Sequence, residues 1–344
     1  MPVQLFHNGR SRDSRAQGRV PRRGREVSDG GLRFGVNLMP QLWVDERVRS
    51  GRELLSHRSV LFRRMADAGI EHVMVGDHVM FHRGVGNDGL TDAASVVTAT
   101  EELGVYLAVY LMVLRHPVLV ARQILTVAQL APGRLALGLG IGGDDRHEVL
   151  ACGVDPRTRG RRMDESLGIV RRLLAGETVS HEGEFFSLEE ARLRPEPAQP
   201  IPLVVGGRSD AALRRAGRLG DGWLGIWTSA TRCAEAIAAV EQYGAEAGRG
   251  AVGWQHGMTF WCGFGADRAQ ARERIAPAME GLYRTPFDKF ERYIPYGRPE
   301  DVAEFVAPFV EAGCSTLNFI PFAGSDEAGV HAVAEVRKLL RSGY

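Results

Sequence analysis

The strongest constraint in this 344-residue chain is a repeated alternation of short apolar runs with longer amphipathic stretches. Short apolar runs bounded by turn residues predict buried strands, whereas apolar residues recurring at helical spacing predict helices packed by one face. Strands are predicted at residues 32–38, 72–75, 105–113, 135–139, 202–205, 223–226, 258–264 and 316–319. Helices are predicted at residues 54–68, 92–103, 118–130, 158–174, 211–219, 232–246, 268–281, 299–311 and 331–340. Eight strands, each followed by helix, is the count of an α/β protein of the (β/α)8 TIM-barrel class. An open, doubly wound sheet shows the same alternation, though rarely over eight consecutive units.

Two stretches break the pattern. Residues 177–202 hold a hairpin-like segment with four prolines, read as an insertion between strands 4 and 5 that lies over the barrel mouth. Residues 1–30 carry seven arginines and almost no apolar periodicity, so they are expected to form a disordered tail ahead of a single barrel domain over 31–344. Arg22-Arg23 lacks the apolar stretch that a twin-arginine signal requires.

Composition removes several classes of function. Lys+Arg number 43 against Asp+Glu 42, so no overall field favours nucleic acid or an anionic membrane. No apolar run approaches the roughly 20 residues of a membrane span. Cys152, Cys233, Cys262 and Cys314 are far apart and form no zinc-like spacing, which suits reduced, buried thiols in a cytoplasmic protein and calls for no metal.

Barrel chemistry is assembled at the carboxyl ends of strands, and four sequence features stand at or near such positions. Asp77-His78 follows the second strand. It offers a proton donor with a neighbouring charge, or else a helix cap beside a surface histidine. Arg115-His116-Pro117 follows the third; Pro117 suits a first helical position, and Arg115 can hold an anionic ligand or pair with a carboxylate. Gly138-Leu139-Gly140-Ile141-Gly142-Gly143, leading into Asp144-Asp145, lets backbone amides approach a phosphate or a flat ring. Its formal GxGxxG match is weak: the run follows the fourth strand, and Asp164, at the distance of a ribose-binding acid, sits in a helical pattern. Gly206-Gly207-Arg208-Ser209 joins the fifth strand to a helix as a phosphate-binding helix terminus would, or as a tight turn capped by Ser209. Trp223, Trp227 and Phe322 are candidates for an aromatic pocket or for core, while His57, Trp254 and Trp261 read as helix surface and packing.

Taken in order, these residues resemble the luciferase-like monooxygenase superfamily. The similarity runs through Phe34-Gly35-Val36, Ala68-Gly69-Ile70, Val75-Gly76-Asp77-His78, Arg115-His116-Pro117 with Ala121-Arg122-Gln123, and Pro132-Gly133-Arg134. It continues through Gly160-Arg161-Arg162 with Asp164-Glu165, His181-Glu182-Gly183, Val205-Gly206-Gly207 and Asp221-Gly222-Trp223. It is strong over residues 31–227 and weak beyond.

The resemblance implies a barrel that binds a reduced flavin, or the deazaflavin coenzyme F420, at its mouth. It also implies a cis peptide bond between Ala108 and Val109 forming a bulge under the ring, and a cofactor phosphate held by Gly142, Gly143, Gly206, Gly207, Arg208 and Ser209. The Asp77-His78 pair is similar to the F420-using branch, in which the histidine lies near the reacting carbon. Two departures stand out. Gly143 replaces a glutamate of the sugar-phosphate dehydrogenases of that branch, which argues against that oxidation, and Val113 replaces a common proline. The expectation is therefore an F420-dependent oxidoreductase passing hydride to a small organic substrate, with His78 handling the proton and Asp77 setting its charge. The alternatives are an FMN-dependent monooxygenase, a cofactor-binding barrel without turnover, and an open-sheet NAD enzyme. A homodimer would suit the family.

Overall fold

A computed structural model describes residues 31–37, 51–82, 84, 86–143 and 145–343. The expectations for the tail 1–30, for Leu38 and for Asp144 lie outside these residues.

Eight parallel strands close on themselves. In chain order they are β1 (Arg33–Val36), β2 (His72–Val75), β3 (Gly104–Tyr110), β4 (Leu135–Leu139), then, after a hairpin of β5 (Val179–Glu182) and β6 (Ser187–Ala191), β7 (Leu203–Gly206) and β8 (Gly222–Ile226). β9 (Gly257–Phe264) follows, then a two-residue strand β10 (Tyr296–Gly297), and β11 (Thr316–Phe322). β8 pairs with β9, β9 with β11, and β11 with β1, which completes the cylinder and excludes the open sheet.

The helices are α1 (Gly51–Asp67), α2 (Gly89–Ala99), α3 (Pro117–Leu130), α4 (Arg146–Ala151), α5 (Arg159–Leu174), α6 (Asp210–Leu219), α7 (Ala230–Glu246), α8 (Arg268–Tyr283), α9 (Pro299–Glu311) and α10 (Asp326–Arg341). Each strand has two faces because successive side chains alternate. The outward faces meet the helices in one apolar layer that includes Phe34, Val73, Leu107, Leu137, Val205 and Phe319. Each such side chain, once buried, stabilises the fold by roughly 1.5–3 kcal/mol. The inward faces of β3, β4, β7 and β8 bring Tyr106, Ala136, Val204 and Leu224 together as a small plug. Above the plug, Ala108 and Leu224 also line an open cleft.

The expected position of the insertion is corrected by chain direction. A barrel helix runs antiparallel to its strand, so the connection after α5 leaves at the amino-terminal face, opposite the mouth. From there the β5–β6 hairpin turns back along the outside of α5. Glu165 accepts from His181 and from the amides of Phe185 and Phe186, and Arg161 pairs with Glu184. None of the hairpin residues lines the cleft.

The segment that does reach the mouth follows β9. There α8 and two short 3-10 turns intervene before β10 pairs beside the carboxyl end of β9, and Ala278, Leu282 and Tyr283 of α8 face the cleft. Sequence periodicity alone reads α8 as an ordinary outer helix. The helix that instead returns the chain to the amino-terminal face is α9.

Candidate active site

The cleft encloses about 400 Å³, within the range of small-molecule sites. Its floor is the bulge on β3. The peptide bond joining Ala108 and Val109 is cis, and the register with β4 slips between Ala108 and Tyr110. Val109 is directed at two glycines. A Cβ on Gly140 would fall 2.4 Å from Val109 Cγ2, and one on Gly206 3.1 Å from Val109 Cγ1. Side chains at these positions would dislodge the bulge, so the glycines are needed for close approach.

Beside this floor lie Gly142, Gly143, Gly207 and Arg208, all lining the cleft. Gly207 has φ +131°, a conformation that L side chains rarely adopt, and its carbonyl accepts from Trp223 Nε1 at 2.7 Å. Trp223 is buried at 1% exposure and thus anchors the glycine turn from behind; it does not line the cleft. Ser209 is spent as the N-cap of α6, where its hydroxyl accepts from the amide of Ala212, and it is not among the cleft-lining residues. The capping alternative describes its side chain.

His78 faces the cleft with its side chain 26% exposed, and its Nδ1 lies 3.0 Å from Glu148 Oε2. Glu148 also accepts from the amides of Val79 at 2.6 Å and Met80 at 3.1 Å. Burial alone would raise the Glu148 carboxyl; the hydrogen bond and charge contact with His78, with those two amides, outweigh it and hold the group below its usual value. An ionised carboxylate only accepts, so in this contact the imidazole donates the hydrogen on Nδ1.

Asp77 was expected to set the charge of His78, and the structure gives that place to Glu148. The Asp77 side chain is fully buried, takes both arms of Arg115 at 2.8 and 2.9 Å, and accepts from the amides of Gly89 and Leu111. Arg115 also reaches Asp88 at 2.8 Å and lies over the Tyr110 ring. The open question about Arg115 is thereby answered by carboxylate pairing. This cluster fastens the β2 turn, the start of α2 and the end of the bulged strand to one another. Asp164 pairs with Arg215 of α6, far from a ribose-binding role.

The opposite wall is aromatic. Trp227, Trp261, Tyr283 and Phe322 all line it. Trp261 and Phe322 stack with centroids 5.7 Å apart, and Tyr283 meets Trp227 edge-on at 4.9 Å. Trp261, read from sequence as packing, thus does both jobs. Trp254 stacks on His256, and His57 pairs with Asp326 on the surface.

The lining of the cleft matches the two demands of a flavin-like cofactor. A flat ring needs an even apolar surface, supplied by Ala108 and Val109 of the bulge, which Gly140 and Gly206 allow to sit close against the neighbouring strands. A phosphate needs free amides and a cation, supplied by Gly142, Gly143, Gly207 and Arg208. The residues fit such a group.

Comparison with known proteins agrees. The pattern of the family described as luciferase-like monooxygenase matches residues 32–340. An uncharacterised protein of Mycobacterium tuberculosis is 37% identical over 161 residues, 46% of this chain and 54% of that protein. The F420-dependent glucose-6-phosphate dehydrogenase of Beutenbergia cavernae is 33% identical over 162 residues, 46% of this chain and 48% of the relative. The chain thus spans about half the length of the curated relatives it matches. In fold it is similar to an F420-dependent secondary alcohol dehydrogenase, with TM-score 0.75 and 20% identity over 89% of this chain and 98% of the other. It is also similar to the monooxygenase RslO1 of Streptomyces bottropensis, with TM-score 0.74 and 22% identity over 90% and 98%. A third likeness, at TM-score 0.70 and 17% identity over 89% and 98%, is the oxygenating constituent of 3,6-diketocamphane monooxygenase of Pseudomonas putida with FMN. At these identities the structural likenesses concern the fold. No described helix is long and apolar enough to cross a membrane.

Proposed function

The chain belongs to the luciferase-like monooxygenase family, and from that premise we propose that it is a coenzyme F420-dependent oxidoreductase acting on a small organic molecule. The reduced deazaflavin, when bound, supplies a hydride. The protein's own residues do the rest. The glycine floor and the bulge at Ala108-Val109 would hold the ring flat, and Gly142, Gly143, Gly207 and Arg208 would hold the phosphate. The aromatic wall would exclude water and keep the acceptor against the ring.

The single observation that carries this reading is His78, held by Glu148 through Nδ1 in the cleft beside the floor. The His78 imidazole, oriented by that contact, is the group that would hold or deliver the proton when an electron-poor C=C, C=N or C=O gains hydride. The F420 dependence named for the curated relatives supports the choice of cofactor. The FMN-bound neighbour supports the second reading, an FMN-dependent monooxygenase using the same cleft.

The test is a titration of the purified protein with F420, FMN and NADPH. F420 is expected to bind at least tenfold more tightly than either competitor. Tighter binding of FMN, with oxygen consumed on turnover, would establish the second reading instead. His78→Ala is expected to retain F420 affinity within about threefold while losing on the order of 100-fold in kcat. Unchanged turnover in that variant would remove the acid assigned to His78.

A further inference from the structure

We propose that the acceptor is a neutral, flat, conjugated carbonyl compound whose oxygen is held by the hydroxyl of Thr259; this rests on the cofactor reading given above. Two observations independent of the glycine floor carry it. The first is the division of the cleft. On the side of β2 to β7 it carries the glycine turns and the polar side chains Asp77, His78, Asp145, Glu148 and Arg208, whereas on the side of β8, β9, α8 and β11 it presents Trp227, Trp261, Tyr283 and Phe322. Among the described residues that line this second side, none is charged. Flat rings stack on such a wall, while a carboxylate or phosphate against it would lose its hydration without a partner.

The second observation is Thr259 itself. It lies on β9 with 5% exposure and lines the cleft. Its hydroxyl is engaged by no hydrogen bond among the described residues, whereas Asn318, its register partner on β11, meets His72 through Oδ1. A hydroxyl placed on an apolar wall and left without a partner is suited to one oxygen of a ligand, because a buried polar group is ordinarily satisfied.

In the step that follows, the C=C bond conjugated to that carbonyl gains hydride at its β-carbon. Its π pair moves to the α-carbon, which takes a proton from His78. The acceptor is reduced by two electrons and the reduced deazaflavin oxidised by two.

A matched pair of probes tests the class: 4-phenylbut-3-en-2-one and its para-carboxylate, identical in outline and differing by one charge. Binding is read by quenching of protein tryptophan fluorescence with and without F420, and turnover by loss of reduced F420. The neutral probe is expected to bind at least tenfold more tightly than the carboxylate in both conditions. Thr259→Val, which keeps the volume, is expected to raise KM for the neutral probe about tenfold with F420 affinity unchanged, and Thr259→Ser to restore it.

Equal or stronger binding of the carboxylate, or binding of neither probe, would overturn the neutral class. An unchanged KM in Thr259→Val would overturn the role of the hydroxyl. Since probe binding is also read without cofactor, failure of F420 to bind would refute the cofactor reading separately.

Discussion

His78 and Glu148 lie 70 residues apart in sequence, and the chemistry assigned to this cleft depends on their meeting. Replacing Glu148 by Gln keeps the shape but removes the charge that fixes the imidazole hydrogen on Nδ1. Turnover is expected to fall on the order of 100-fold with F420 affinity within about twofold, as measured by steady-state kinetics beside fluorescence titration. His78 is visible in the sequence because a histidine at a strand end stands out. Glu148 is not, because its partner is set by how the loops after β2 and β4 close on each other, and its own neighbours read only as the start of a short helix. Asp77 was legible as special but misread, since adjacency in sequence to His78 says nothing of the direction in which its side chain leaves the turn.

A second residue gives a prediction in pH. His72 is buried inside the barrel with Nε2 2.7 Å from Asn318 Oδ1, and burial lowers it from 6.5 to about 4. The folded form therefore resists a proton that the unfolded chain accepts from pH 6.5 downward. Stability is intact above pH 6.5 and is lost as pH falls towards 4, by about 3 kcal/mol from this group alone and about 2 kcal/mol of it by pH 5. Urea midpoints at pH 7 and pH 5 should show this loss, and His72→Gln should reduce the difference between the two pH values.

At the scale of elements, the strands were legible because burial on both faces writes nearly unbroken apolar runs, and β2 and β4 match their expected limits. Connections were harder. Composition marks the hairpin as an excursion without showing that it leaves from the amino-terminal face and passes outside α5 without lining the cleft, and α8 reads as an outer helix because its cleft-facing positions share the spacing of a buried face. The turns between elements have separable roles that can be tested. Arg115→Met leaves the Asp77 carboxylate buried without its cation and is expected to cost about 3 kcal/mol in urea unfolding, with a smaller loss in Asp77→Asn. Gly143→Asp should do the reverse. A Cβ there meets only Arg159 NH1 at 3.5 Å, so the fold tolerates it, while a carboxylate beside the phosphate-binding amides should weaken F420 at least tenfold in the same titration.

For the molecule as a whole, a closed barrel confines its chemistry to the carboxyl ends of the strands and leaves the opposite end free to serve stability. The amino-terminal end is fastened by Glu71, which takes Arg337 and Arg341 of the last helix at 2.9 and 2.8 Å and the amide of Phe34 on the first strand at 2.8 Å. Arg341 also donates to the carbonyl of Leu32, so the start and the finish of the barrel are tied where β11 meets β1. These side chains are about three-quarters covered, between the exposed pairs that contribute little and the buried ones whose loss is severe. Glu71→Gln should therefore destabilise by about 2 kcal/mol, a fall of several degrees in Tm. Because the network lies away from the cleft, affinity for F420 should stay within about twofold in the same variant. A parallel loss of affinity would show that closure of the cylinder at its base sets the geometry of its mouth.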